Sequence, residues 1–233
     1  MRGDCEQNRN MISPKAWKTG YCRSMTSSRF VPAEIDALFE VHEWRNGLAV
    51  LTAACAEEWN DIVSVLRDFR LLHTEIAQPG GRKSLIADRI DTSFKKHGWK
   101  EKRFDTRIVI DHVEHVSPTH EVDMFKKRVA LEVEWNNKDP FYDRDLNNFR
   151  LLFDLRVIDV GVIITRCTEL QSLFVEVGRD RGSYGASTTH MDKLLPRLEG
   201  GGGGGCPVVV FGIRRAAYVD DRAKPGSLGD ASV

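Results

Sequence analysis

Three carboxylates stand at a spacing that suits chemistry: Asp123, Glu132 and Glu134. From Arg128 to Asn136 the residues alternate. Val129, Leu131, Val133 and Trp135 fall on one side, with Ala130, Glu132, Glu134 and Asn136 on the other. Strict alternation predicts a half-buried strand, and a period of two places Glu132 beside Glu134 on one face. Eight residues separate Asp123 from Glu132, and the polar run Lys126-Lys127-Arg128 between them reads as a turn. An antiparallel return then brings Asp123 back beside Glu132. Three anions at one point repel, so a bound cation is the simplest reason to gather them. All-oxygen ligation suits a hard ion, Mg²⁺ above all, which keeps several waters and favours phosphate oxygens. The competing reading is a solvated strand face, common for alternating acids.

Elements on either side must position this hairpin. Downstream, Asn136-Asn137-Lys138-Asp139-Pro140 follows directly on the acidic strand. Amide side chains pair bidentately with adenine and lysine reaches guanine or phosphate, whereas the alternative is an Asn-rich turn with proline at a helix start. Asp143 to Leu155 predicts a helix with Leu146, Phe149, Leu152 and Phe153 inward and an acidic first turn at Asp143 and Asp145 that suits the helix dipole. The β-branched run Val160–Ile164 predicts a strand buried on both faces. Beyond a short helix over Glu169–Val177, the stretch from Arg179 to His190, with Asp180, Arg181 and Ser183, is either a solvated loop or a groove-reading one. A helix over Met191–Leu198, a flexible run of six glycines (Gly200 to Gly205) and a strand over Pro207–Ile213 complete that side.

Upstream, one helix is expected over Ala33–Trp44, an apolar segment of open type over Leu48–Cys55, and an amphipathic helix over Glu57–Leu72. Gln78-Pro79-Gly80-Gly81-Arg82-Lys83 is a turn with two cations. Ser84–His97 predicts a helix with Leu85, Ile86, Ile90 and Phe94 inward, and Phe104–His115 predicts one strand. Glu75 and Asp105 are further acids available to add to the metal site, and the sequence does not choose between them.

Composition bounds the function. The 233 residues fit one sizeable domain over 30–220, between a flexible arm (1–29) and a disordered tail (221–233). Net charge is zero, which argues against a non-specific basic coat but leaves room for a local basic cleft. Five scattered cysteines without a CxxC pair suggest neither zinc nor a disulfide framework, and point to a reducing cytoplasm. No apolar run is long enough to span a membrane.

The pattern Asp-x8-Glu-x-Glu, continued by WNNKDPFYDRDLNNFRLLFDL and VGVIITR, resembles the PD-(D/E)XK nucleases. Within them it is most similar to the type II restriction endonucleases around BglII, BstYI and BamHI. The resemblance covers the middle third of the chain. It implies an α/β fold with a central mixed β-sheet flanked by helices, and Mg²⁺ held by Asp123, Glu132 and the carbonyl of Val133. Glu134 takes the third catalytic position, usually lysine in the superfamily, and orients or deprotonates the attacking water. The resemblance further implies DNA contacts from Asn136, Asn137, Lys138 and Asp139 and from Arg179, Asp180, Arg181 and Ser183. The expected activity is hydrolysis of both strands of double-stranded DNA at a short palindromic site by a homodimer, with the Asp143–Leu155 helix available to meet its twin. Two rivals are a non-cleaving DNA-binding protein of the same fold and a paired-carboxylate glycoside hydrolase.

Overall fold

The alternating stretch forms a strand, though a shorter one than expected and covered on both faces. The computed structural model describes residues 29–78, 84–118, 121–179, 184–185 and 187–222. Along the chain run α1 (Ala33–Leu38), β1 (Phe39–Trp44), α2 (Gly47–Ala54), α3 (Ala56–Asp68), β2 (Leu71–Leu72), α4 (His73–Ala77) and α5 (Leu85–Lys96). Then come β3 (Lys100–Lys102), β4 (Asp105–Ile110), β5 (Val113–Pro118), β6 (Val122–Lys126), β7 (Val129–Val133) and α6 (Phe141–Asp154). The last elements are β8 (Val160–Arg166), α7 (Leu170–Glu176), α8 (Met191–Glu199), β9 (Val208–Ile213) and β10 (Tyr218–Val219). Six strands make one sheet in the order β1-β9-β8-β7-β6-β3. β7, β8 and β9 run parallel, while β1, β6 and β3 join antiparallel, so the sheet is mixed as expected.

Side-chain alternation decides which helices cover which face. Val129, Leu131 and Val133, with Val162, Ile164, Val209 and Phe211, pack in one layer with residues of α1, α2, α3, α5 and α7. Ala130, Ile163, Val208 and Val210 face a second layer built from α6 and α8. There Tyr142, Leu146, Phe149 and Leu152 meet Met191, Leu194 and Leu198. The apolar stripe of α6 is therefore covered within its own chain, and of its two readings, core packing and contact with a twin, the first accounts for it. The helix lies very close on β8, because a Cβ at Gly161 would come within 2.3 Å of the Phe149 ring.

The β6–β7 hairpin pairs Met124 with Leu131, Phe125 with Ala130 and Lys126 with Val129. Lys127 takes φ 47° in the turn. Lys126 reaches Glu57 and Asp61 of α3, each at 2.8 Å, so the turn cations anchor the hairpin to the helix layer.

Four local expectations change. The helix expected over Ala33–Trp44 stops at Leu38, and Phe39–Trp44 becomes the sheet edge by pairing with β9 from Phe39↔Ile213 to Trp44↔Val208. Leu85 is 47% exposed instead of inward, since it is the first residue after the cap, where the Ser84 hydroxyl accepts from the Ala87 N–H at 3.1 Å. The Phe104–His115 strand is in fact two, β4 and β5, which turn at Asp111 and His112 (φ 48° and 68°) and form a separate two-stranded sheet. Finally, the glycine run is an ordered turn, with Gly202 N–H bonded to the Arg197 carbonyl and the Gly204 carbonyl accepting from Arg45 Nε, both at 2.9 Å. Among the described residues, Cys55, Cys167 and Cys206 are buried free thiols, and no helix is long and apolar enough to cross a membrane.

Candidate functional site

Hairpin register brings the first two carboxylates into one cross-braced unit. The Asp123 N–H donates to Glu132 Oε2 at 3.2 Å, and the Val133 N–H donates to Asp123 Oδ2 at 3.0 Å. Each side chain is thus pinned by the backbone that carries the other. Glu132 and Glu134 share the face of Ala130, under α6, and each is only 1% exposed. That burial excludes a solvated strand face.

Helix α6 adds a fourth acid that the sequence reading assigned to the helix dipole. Asp145 is completely buried and its charge acts on both Glu132 and Glu134. The available signal was its position four residues before Phe149, on the buried stripe. Glu75 and Asp105 do not join. Glu75 is held by Arg89 through both carboxylate oxygens (2.6 and 2.8 Å), and Asp105 lies exposed on β4.

The surroundings fix Glu134 from several directions. Asn137 Nδ2 donates to Glu134 Oε2 at 2.8 Å, and Arg144 Nη2 to Oε1 at 3.3 Å. Arg144 also donates from Nε and Nη2 to Asp145 Oδ1, at 2.9 and 2.8 Å. The backbone carbonyl of Glu134 accepts from the hydroxyls of Thr165 (2.9 Å) and Thr189 (3.3 Å). Because the Thr165 hydroxyl spends its one proton there, Tyr142 is the donor in their 2.6 Å bond.

A family model described as restriction endonuclease BglII/BglIII matches residues 39–213, from the first residue of β1 to the last of β9. The chain belongs to this restriction endonuclease family. The match spans the whole six-stranded sheet and the helices of both layers except α1, so the endonuclease is a type II, site-specific deoxyribonuclease and DNA is its substrate. No curated protein matches the chain individually.

The residues expected to meet DNA are divided by the fold. Lys138 is exposed in the endonuclease and bridges through its backbone to Thr188. Asn136 is half-buried with φ 60°, and Asn137 is half-buried with its amide engaged by Glu134. The Asp139 carboxylate faces Arg197 at 3.6 Å and Lys193 at 3.9 Å, both on α8. Arg179 donates to the Gln78 carbonyl at 2.7 Å, so the two cationic loops picked out in the sequence are joined where they leave the helices. Asp180, Arg181 and Ser183 lie outside the described residues, as do residues 79–83 of the upstream turn.

Electrostatics of the cluster are those of crowded, dehydrated acids. Burial foremost, then the charges of Asp145 and Asp123, hold Glu132 far above the usual carboxylate range. Burial, then Asp145, pushes Glu134 up to about 9, and burial raises Asp145 to about 6 against the pull of Arg144. The charges of Glu134 and Asp145 act on each other, so the two titrate together, with the proton favouring Glu134. These groups bind protons more tightly folded than unfolded. Their contribution to stability is therefore complete below the ordinary glutamate value of 4.5 and lost as pH rises toward about 9. In chelator, the melting temperature of the endonuclease is expected to fall across that window, and Glu134→Gln to flatten the fall. Equal slopes for the two proteins would contradict a buried acid cluster.

Proposed function

We propose that the endonuclease hydrolyses phosphodiesters in both strands of duplex DNA at a short palindromic site, using Mg²⁺ at Asp123 and Glu132. The observation that carries this reading is the reciprocal bracing of Asp123 and Glu132 across the hairpin, with Glu132 Oε1 buried and lacking a donor. A buried carboxyl oxygen without a partner is costly, so in the metal-free chain Glu132 keeps its proton, and a cation would take that proton's place. Among the described residues no group of three or more His, Cys, Asp or Glu side chains has the geometry to hold an ion. Two carboxylates with a backbone carbonyl and waters fit Mg²⁺ better than a full protein cage, because this ion keeps several waters. The Val133 carbonyl is the natural third ligand. In an extended strand a residue's N–H and C=O lie on the same edge, and the Val133 N–H already points to Asp123.

When bound, the ion supplies charge neutralisation at the phosphoryl oxygens and lowers the pKa of nearby water. The chain's own residues do the rest. Asp123 and Glu132, braced on the hairpin, would hold the cation toward which the phosphate comes. Glu134, steadied by Asn137 and Arg144, is placed to orient the attacking water and, in its ionised form, to accept its proton. A new P–O bond forms as the bond to the 3′ oxygen breaks, and that oxygen takes a proton from solvent.

Lys138, exposed directly beyond the acidic strand, is the best placed of the expected base-reading residues. Lys138→Ala is expected to weaken binding to the proper site by about 1–3 kcal/mol and to random duplex by less. Equal weakening on both duplexes makes it a phosphate contact instead. A homodimer explains how one hairpin per chain cuts two strands of a palindrome. Because the α6 stripe is internal, the subunit contact falls to another surface. A glycosidase reading finds little support, since Trp135 packs with Phe174 and Tyr184 in the core of the opposite sheet face. Digestion of a DNA of known sequence with Mg²⁺ and with chelator tests the proposal. Metal-dependent cuts in both strands at symmetric positions are expected. Cutting that survives chelation, or binding without cutting, would overturn it.

A further inference from the structure

We infer that Arg144 is a further catalytic residue, whose guanidinium contacts a non-bridging oxygen of the scissile phosphate. This rests on the reading of the acid cluster as the cleavage site. Among the described residues, Arg144 is the one cation hydrogen bonded to the cluster of Asp123, Glu132, Glu134 and Asp145. Its bonds are lopsided. Nε and Nη2 both converge on the single oxygen Oδ1 of Asp145, Nη2 extends to Glu134, and Nη1 takes part in none of these. A guanidinium meant only as a counter-ion for Asp145 would present two parallel N–H groups to two carboxylate oxygens, as Arg215 does with Glu176.

Exposure points the same way. The Arg144 side chain is 32% exposed, while its partners Glu134 and Asp145 are 2% and 0% exposed. The cation therefore stands at the rim, between the buried acids and whatever approaches them. It is also held in place, with its guanidinium carbon 4.3 Å from the centre of the Phe141 ring. A polyanion reaching this cluster approaches an acidic site, and hydrolysis adds charge to the phosphoryl oxygens as the water attacks. A pre-positioned guanidinium with spare N–H groups opposes both, and costs no reorganisation when the charge develops.

A purely structural role, holding Glu134 and Asp145 apart, would use the same hydrogen bonds, so the test must read the phosphate. Single-turnover cleavage is measured on a duplex carrying the mapped cut site, for wild type, Arg144→Ala and Arg144→Lys. The same proteins then cut duplexes with sulfur in place of each non-bridging oxygen at the scissile position. Arg144→Ala is expected to slow cleavage on the order of 10²–10³-fold with little change in DNA affinity. With one of the two sulfur diastereomers, the losses from sulfur and from the substitution should be non-additive, because both break one contact. Losses that multiply for both diastereomers would overturn the inference and leave Arg144 as a support for Glu134. If Arg144→Ala melts far below wild type, Arg144→Lys carries the same cycle. Failure of the underlying reading is seen separately, as an absence of metal-dependent cleavage by the wild-type protein.

Discussion

Asp123→Ala and Glu132→Ala proteins will bind their duplex and leave it whole. Each substitution removes one of the two braced carboxylates, and with it one oxygen ligand for the proposed cation. Loss of Lewis-acid stabilisation is worth several kcal/mol, so about 4 kcal/mol, or roughly 10³-fold in rate, is the least expected. Binding should survive and even tighten, since an anion facing the DNA backbone has been removed. The two substitutions are not equivalent for the fold. Glu132 is buried and accepts the Asp123 N–H, so Glu132→Gln, which keeps the volume and an acceptor, is the cleaner partner to Asp123→Ala. Cleavage by Asp123→Ala at the wild-type rate in Mg²⁺ would remove the hairpin from the mechanism. A filter-binding curve beside a single-turnover time course separates the two properties.

The contact of α6 with β8 should be the most sensitive point of the fold. Phe149 is fully buried, and its ring occupies the space that a side chain at position 161 would fill. Phe149→Ala is expected to cost about 3–5 kcal/mol, by transfer and by the cavity left against the sheet. For a chain of this size that lowers Tm by roughly 10 °C. Gly161→Ala should destabilise by about 1–3 kcal/mol for the opposite reason, overpacking. The double variant Phe149→Leu with Gly161→Ala gives each change room for the other, so it should cost less than the sum of Phe149→Leu alone and Gly161→Ala alone. Denaturant midpoints for the four proteins decide it, and simple additivity would mean that the two sites do not share one space. Because α6 also carries Arg144 and Asp145, loosening it should reduce cleavage well below the midpoint of unfolding.

How much of this was legible beforehand follows from how local each signal is. The hairpin was readable because its register depends on a period of two and a short turn, both present within sixteen consecutive residues from Asp123 to Lys138. The buried run of β8 was readable for the same reason. Asp145 was not, because its membership in the cluster depends on how α6 lies on the sheet, and Gly161 controls that from outside the helix. β1 was hidden by a competing helical spacing in Phe39–Trp44, overruled by the open edge of β9. The β4–β5 hairpin misled in another way. Val109, Ile110, Val113 and Val116 are all 56–73% exposed, so the alternation there records strand propensity without burial.

The glycine run between α8 and β9 has a thermodynamic side. Six consecutive glycines give the unfolded chain more freedom there than any other stretch of this length, and the ordered turn withdraws all of it. Against alanine, each glycine held in this way weakens the native state by about 0.5–1 kcal/mol. Alanine is disfavoured at Gly201 and Gly204, where φ is +84° and +57°, and at Gly202 and Gly204, where a Cβ would lie 2.9 Å from the Arg197 carbonyl and 2.7 Å from the Arg150 side chain. The backbone at Gly204 is pressed between α6 and the end of β1, to which its carbonyl is bonded through Arg45. The turn thus trades conformational entropy for closeness. It lets the helix layer that carries Asp145 and the far edge of the sheet meet over a stretch of chain with no side chains at all.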